Sequence, residues 1–163
     1  MLPIPADIFT EPGDVSPDGL ANLGPLRRLA GTWQAEKGID VNPKAAGPER
    51  RIFIEHNRLD PIDPQTNGPQ LFYGLRYHIH IVRPGEVATF HDQVGYWLWE
   101  PATGQLIQTV AIPRGQVAMA FGHASADATR FELSAARDAD GNGILSNPYL
   151  DFAFRTLSYR IAV

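Results

Sequence analysis

The chain has 163 residues, 44% of them apolar and 20% charged, a length and balance that suit one soluble domain with a real core. It has no cysteine, which excludes disulfides, thiolate metal centres and cysteine nucleophiles. A net charge of −4 with interspersed signs gives no electrostatic footprint for nucleic acid. No apolar run is long enough to span a membrane, and the opening MLPIPADIFTEPGD has neither the basic region nor the apolar stretch of a secretory signal, so a cytoplasmic location is expected.

Residues 1–21 are rich in Pro, Asp and Gly, lack periodicity, and are expected to form an extended arm ahead of a single domain over 22–163. Asn22 is placed to cap a short helix over 23–29, with Pro25 in its first turn and Gly31 ending it. Leu23, Leu26 and Leu29 would form one apolar stripe on it. Beyond Gly31 the helical period disappears. Segments 32–36, 49–59, 70–82, 88–99, 105–112, 115–121, 129–137 and 150–163 carry β-branched and aromatic residues. They are separated by turn signals such as Pro84-Gly85, Pro113-Arg114-Gly115 and Asp140-Gly141-Asn142-Gly143. Eight strands with hairpin-length links and no crossover helices predict an all-β fold. An antiparallel up-and-down β-barrel, lipocalin-like and capped at one end by the short helix, is the first choice; a sandwich is the second, and closure of the barrel is left open.

Strand alternation sorts side chains onto two faces. From Leu71, one face carries Tyr73, Leu75, Tyr77, Ile79 and Ile81, and the other Phe72, Gly74, Arg76, His78 and His80. In the next strand His91, Gln93, Gly95, Trp97 and Trp99 share a face. Neither strand has a purely polar side, as expected where a barrel interior is partly polar, or where patterning is imperfect.

Several segments carry a family likeness. Leu29-Ala30-Gly31-Thr32-Trp33 resembles the opening of lipocalin-like and fatty-acid-binding-protein-like barrels. Phe90-His91-Asp92-Gln93-Val94-Gly95-Tyr96 resembles the His-x-x-x-Gly-Tyr segment of nitrobindins. Tyr73-Gly74-Leu75-Arg76-Tyr77-His78 and Ser146-Asn147-Pro148-Tyr149-Leu150 resemble segments of a bacterial branch of that family. The order is kept and the likeness runs from about residue 23 onward. It implies a nitrobindin-like barrel with haem b in the cavity, nitric oxide chemistry on ferric haem, and an isomerase activity converting peroxynitrite to nitrate. Two departures stand out. The family's Gly-x-Trp-x-Gly-x-Gly reads here Gly31-Thr32-Trp33-Gln34-Ala35-Glu36-Lys37-Gly38. The family's axial histidine lies near the C-terminus, whereas no histidine follows His123, so the C-terminal strands that carry it are expected to be missing.

Among candidate site residues, His91 is the foremost: an imidazole facing the cavity would ligate iron or, as the resemblance implies for this distal position, hydrogen-bond a ligand. The alternative is a strand histidine satisfied by its neighbours. His78 and His80 sit at i, i+2, a spacing that could chelate a metal, but no third ligand is clear, so a solvated polar face is the favoured reading. Arg76 has the fork geometry for a carboxylate or a haem propionate. Trp33 is expected to be buried against the helix or to wall the cavity. Trp97 and Trp99 share the parity of His91 and line either a cavity or an outer patch. His56 and His123 read as surface residues. Asp138-Ala139-Asp140-Gly141-Asn142-Gly143 matches half of a calcium loop, but Tyr149 stands where an acidic ligand is required, so a hairpin turn is expected.

The functional expectations follow. The first is a haem-binding barrel. The second is an intracellular carrier of a fatty acid or another hydrophobic small molecule, with Arg76 or a histidine holding its polar end. The third is a barrel fragment or interaction module without ligand. Neither nucleic acid nor membrane is expected as a partner, and self-association as a homodimer is left open.

Overall fold

The computed structural model describes residues 6–137, 143–150 and 154–163, and in it the alternating segments become one antiparallel sheet. Its strands are β1 (Gly31–Asn42), β2 (Glu49–Pro61), β3 (Gln65–Asn67), β4 (Gln70–Val82) and β5 (Thr89–Glu100). They continue with β6 (Gln105–Ile112), β7 (Gln116–His123), β8 (Arg130–Ala136), β9 (Ile144–Ser146) and β10 (Thr156–Ala162). The spatial order is β1-β2-β4-β5-β6-β7-β8-β10, with the short β3 on β4 and β9 on β7. Among the described residues β1 and β10 are not hydrogen-bonded to each other, so the sheet is a curled half-barrel with two edges.

The eight expected strands are all present, and the sheet is antiparallel as expected. The first is longer than alternation suggested because it runs through a bulge between Ala35 and Gly38. A Cβ at Gly38 would stand 2.1 Å from the Phe53 ring, so any larger residue there requires that ring to move. The last expected segment, 150–163, contains only the shorter β10.

Register puts one set of side chains on the concave face: Tyr73 opposite Trp99, Leu75 opposite Trp97, Ile79 opposite Gln93 and Ile81 opposite His91. Leu59, Leu106, Leu133 and Phe131 join them in the core. Leu75 and Leu106 are completely buried, each worth roughly 1.5–3 kcal/mol of apolar transfer.

The helix forms, but as a 3-10 turn over Gly24–Leu29, and its N-cap is Leu23 without a side-chain cap. Asn22 instead donates from Nδ2 to Ser16 Oγ at 3.0 Å and to the Asp18 carbonyl at 2.7 Å, pinning the N-terminal arm. Six residues are too few to stabilise an α-helix without tertiary help. The turn docks through Leu23 and Leu26, both fully buried, and through Gly24, where φ is +53° and a Cβ would meet the Trp99 ring at 2.6 Å. The helix therefore rests on Trp99, not on Trp33. Contrary to expectation Trp33 is 53% exposed, because it lies on the edge strand β1, with no strand among the described residues paired on its far side. Its indole Nε1 still donates to the Leu29 carbonyl at 2.8 Å.

Candidate functional site

The concave face carries a line of polar groups inside an otherwise apolar wall. His91 and Gln93 point the same way from β5, and His91 Nε2 lies 3.3 Å from Gln93 Oε1. Gln93 Nε2 donates to the Tyr77 hydroxyl at 2.7 Å, and that hydroxyl donates to the Thr109 carbonyl at 3.0 Å. At the other end Arg114, in the β6–β7 turn, places Nη2 3.2 Å from His91 Nδ1. Gln93, at 7% exposure, is held within this line of bonds, whereas Gln108, at 1% exposure, keeps a buried Oε1 without a hydrogen-bond partner among the described residues. Burial raises the pKa of the phenols of Tyr77 and Tyr159 above the ordinary value, partly opposed by hydrogen bonds from Gln93 and Gln108, and both are neutral at physiological pH.

Between the sheet's two edges lies a cavity of about 670 Å³, within the size range of small-molecule sites (~300–1,000 Å³). Trp33, Asn57, Leu59, Trp97 and Ile161 line it, with Arg28 at its rim. Trp97 is fixed by edge-on packing against Tyr159 at 5.6 Å and Phe131 at 6.4 Å between ring centroids. Asn57 Oδ1 is buried and has no hydrogen-bond partner among the described residues, leaving an acceptor in the cavity wall. Arg160 also borders the cavity but pairs with Glu132 at 3.2 Å.

The expected site residues separate. Trp33 lines the cavity; His91 shares the concave face but is not among the lining residues. Arg76 and His78 lie on the convex face, since their alternation is opposite to that of Tyr77, and β4–β5 pairing sets them beside Tyr96 and Val94. The expectation that they would join His91 around one ligand is therefore corrected: a sheet one layer thick separates them. On the convex side His78 Nε2 is 2.8 Å from Asp92 Oδ2, and Arg76 is 3.8 Å from Asp60. Both line a separate groove of about 720 Å³ with Arg58, Val94 and Tyr96. His80 Nε2 lies 3.1 Å from Thr89 Oγ1, and His56 and His123 are exposed, as expected. Trp97 and Trp99 belong to the core.

No group of three or more His, Cys, Asp or Glu among the described residues is arranged to hold a metal ion. Most of the calcium-loop half-match, residues 138–142, lies outside the described residues. No helix among them is long and apolar enough to cross a membrane.

Sequence reasoning passed over Arg114, Gln93, Tyr77 and Asn57. Gln93 had a signal, the parity it shares with His91. Arg114 had none, because a turn residue's reach is set by tertiary structure.

The sequence model of the THAP4-like, heme-binding beta-barrel domain matches residues 22–157. Among solved structures, Rv2717c from M. tuberculosis superposes with a TM-score of 0.55 at 22% identity, covering 91% of this chain and 82% of that one. An identity that low supports the shared fold alone. Comparison with curated proteins finds no match. The matched span starts just ahead of the 3-10 turn and ends within β10, taking in Trp33 and Trp97 of the cavity wall, though not Ile161, and the segments that resemble nitrobindins. By that coverage the chain belongs to the THAP4-like haem-binding β-barrel family.

Proposed function

We propose that this protein binds haem b in the cavity between its edge strands. The observation that carries the reading is an apolar, tryptophan-walled cavity with a cationic rim in a chain of a haem-binding family. The lining fits the flat apolar body and acidic edge of the group: Trp33, Leu59, Trp97 and Ile161 would bury it, and Arg28 would pair a propionate. It does not offer the iron an imidazole, because among the described residues no histidine lines the cavity and both ring nitrogens of His91 are engaged. Retention therefore rests on burial and the rim cation. A bound ferric haem would supply reversible nitric oxide binding and the isomerisation of peroxynitrite to nitrate.

Titration with ferric haem, followed through the Soret band, tests the reading. Saturable one-to-one binding, weakened in Trp33→Ala and Arg28→Ala, is expected. Absence of a saturable Soret change would overturn it.

A second reading, carriage of a fatty acid, is favoured by the same rim. Arg28 makes no hydrogen bond or ion pair among the described residues and is available to a single carboxylate. Saturable displacement of a fluorescent fatty acid, without a Soret response, would select it.

A further inference from the structure

We propose that Arg114 is a positioning residue: it holds His91 in the Nε2–H tautomer, so that the concave face presents a hydrogen-bond donor there and no free imidazole lone pair. The inference rests on reading the concave face as the ligand side, and deepens it by naming the ligand chemistry that His91 accepts.

The argument is donor and acceptor arithmetic along one chain of bonds. A guanidinium only donates, so Nδ1 of His91, 3.2 Å from Arg114 Nη2, must accept. A neutral imidazole carries one proton, which is then on Nε2 and is donated to Gln93 Oε1 at 3.3 Å. That leaves the Gln93 amide nitrogen to donate to Tyr77 Oη at 2.7 Å. The single hydroxyl proton of Tyr77 is then free for the Thr109 carbonyl, which can only accept, at 3.0 Å. Flipping the Gln93 amide fails twice: His91 would face two donors with one lone pair between them, and Tyr77 would have one proton for two acceptors, Gln93 Oε1 and the Thr109 carbonyl. The chain runs one way, from Arg114 to Thr109, with a pure donor at its head and a pure acceptor at its foot.

A second set of contacts fixes the head. Asn147 Nδ2 donates to the Arg114 carbonyl, and the Asn147 backbone N–H donates to the Gly115 carbonyl at 2.8 Å. Gly115 has φ +77°, and a Cβ there would meet the Asn147 side chain at 3.1 Å. Asn147 Oδ1 in turn accepts from the Tyr149 N–H at 2.9 Å. The 146–150 segment thus clamps the turn that carries Arg114, and the turn aims the guanidinium at His91.

The chemical consequence concerns what His91 can receive. With Nδ1 occupied and Nε2 protonated, it is closed to a bare metal ion and open to a ligand with an acceptor atom, such as an oxyanion, competing for the Nε2 proton with Gln93.

The test is long-range proton–nitrogen NMR on ligand-free protein labelled with nitrogen-15 at histidine. Wild type is expected to show His91 as the Nε2–H tautomer alone. Arg114→Ala should give a mixture of tautomers, Arg114→Lys should restore the single one, and Asn147→Ala should shift it partway. A wild-type His91 protonated on Nδ1 would overturn the proposal, as would an unchanged tautomer in a folded Arg114→Ala. The wild-type result stands even where a variant does not fold. Haem titration of the same samples separates the two readings: an Arg114-dependent tautomer in a protein without haem affinity would sink the haem assignment and leave Arg114's role intact.

Discussion

The Tyr77 hydroxyl meets the Thr109 carbonyl at 3.0 Å, reaching past Gly95, whose own missing Cβ would sit 1.9 Å from that carbonyl oxygen and 3.0 Å from the Tyr77 ring. The Thr109 side chain completes the arrangement by accepting the Tyr96 N–H at 2.9 Å. His91, Gly95 and Tyr96 of the His-x-x-x-Gly-Tyr segment are thus tied to one local structure: a polar chain, the space it needs, and the backbone bond beside it.

Gly95→Ala should therefore be costly. The added methyl must push β5 away from β6, and overpacking of this kind costs about 1–3 kcal/mol. Tyr77→Phe removes one donor and one acceptor at once, leaving Gln93 and Thr109 short of partners, at about 1–3 kcal/mol. Urea unfolding checks both, with a lower midpoint at unchanged slope expected.

Alkaline pH should destabilise the fold through the buried phenols. Burial raises the pKa of both Tyr77 and Tyr159 above the ordinary 10.0. An unfolded phenol loses its proton near pH 10 while the folded one keeps it, so the unfolded state binds fewer protons and stability falls as pH rises. Their contribution is whole below pH ~10 and declines above it by up to about 1.4 kcal/mol per pH unit for each phenol. Urea midpoints between pH ~8 and ~11 measure this, and Tyr77→Phe should flatten the decline. Phenolate absorbance showing every tyrosine ionising near pH 10 in the folded protein would contradict it.

The fold was legible because its signals are local. Turn residues such as Pro84-Gly85 and Pro113-Arg114-Gly115 bounded the strands, and alternation assigned Tyr73, Leu75 and Tyr77 to one face. The site was legible only as far as parity carried: it put His91 with Gln93 and Trp97, and already set Arg76 and His78 on the opposite face of β4. Grouping those two with His91 ignored that separation. Which strands meet at the edges is non-local, so the exposure of Trp33 and the reach of Arg114 could not be read from spacing. The bulge between Ala35 and Gly38, too, is a feature of β1–β2 pairing that alternation within β1 does not reveal.

Trp33 should separate stability from binding. It is half-exposed on an edge strand, and its one hydrogen bond, to Leu29, is worth about 1 kcal/mol. Trp33→Phe should keep the fold within roughly that margin while weakening ligand binding by narrowing the apolar wall. Circular dichroism melts alongside haem titration give the comparison; equal losses in both would mean that Trp33 is structural.

The two faces of β4 and β5 supply the final prediction. Arg76 and His78 occupy the convex groove, where Asp60 and Asp92 already partner them at exposed positions, and such pairs contribute about 0–1 kcal/mol. Substituting either by Ala should leave haem or fatty-acid affinity unchanged within error and shift stability little. His91→Ala is different, because it strips Arg114 and Gln93 of a shared partner inside the concave face. It should lower stability by about 1–3 kcal/mol. It should also alter the spectrum and access of a bound ligand more than its retention, since the cavity walls are other residues. Ligand titration of the three variants side by side decides the matter: an affinity loss confined to Arg76→Ala or His78→Ala would move the binding site to the convex groove.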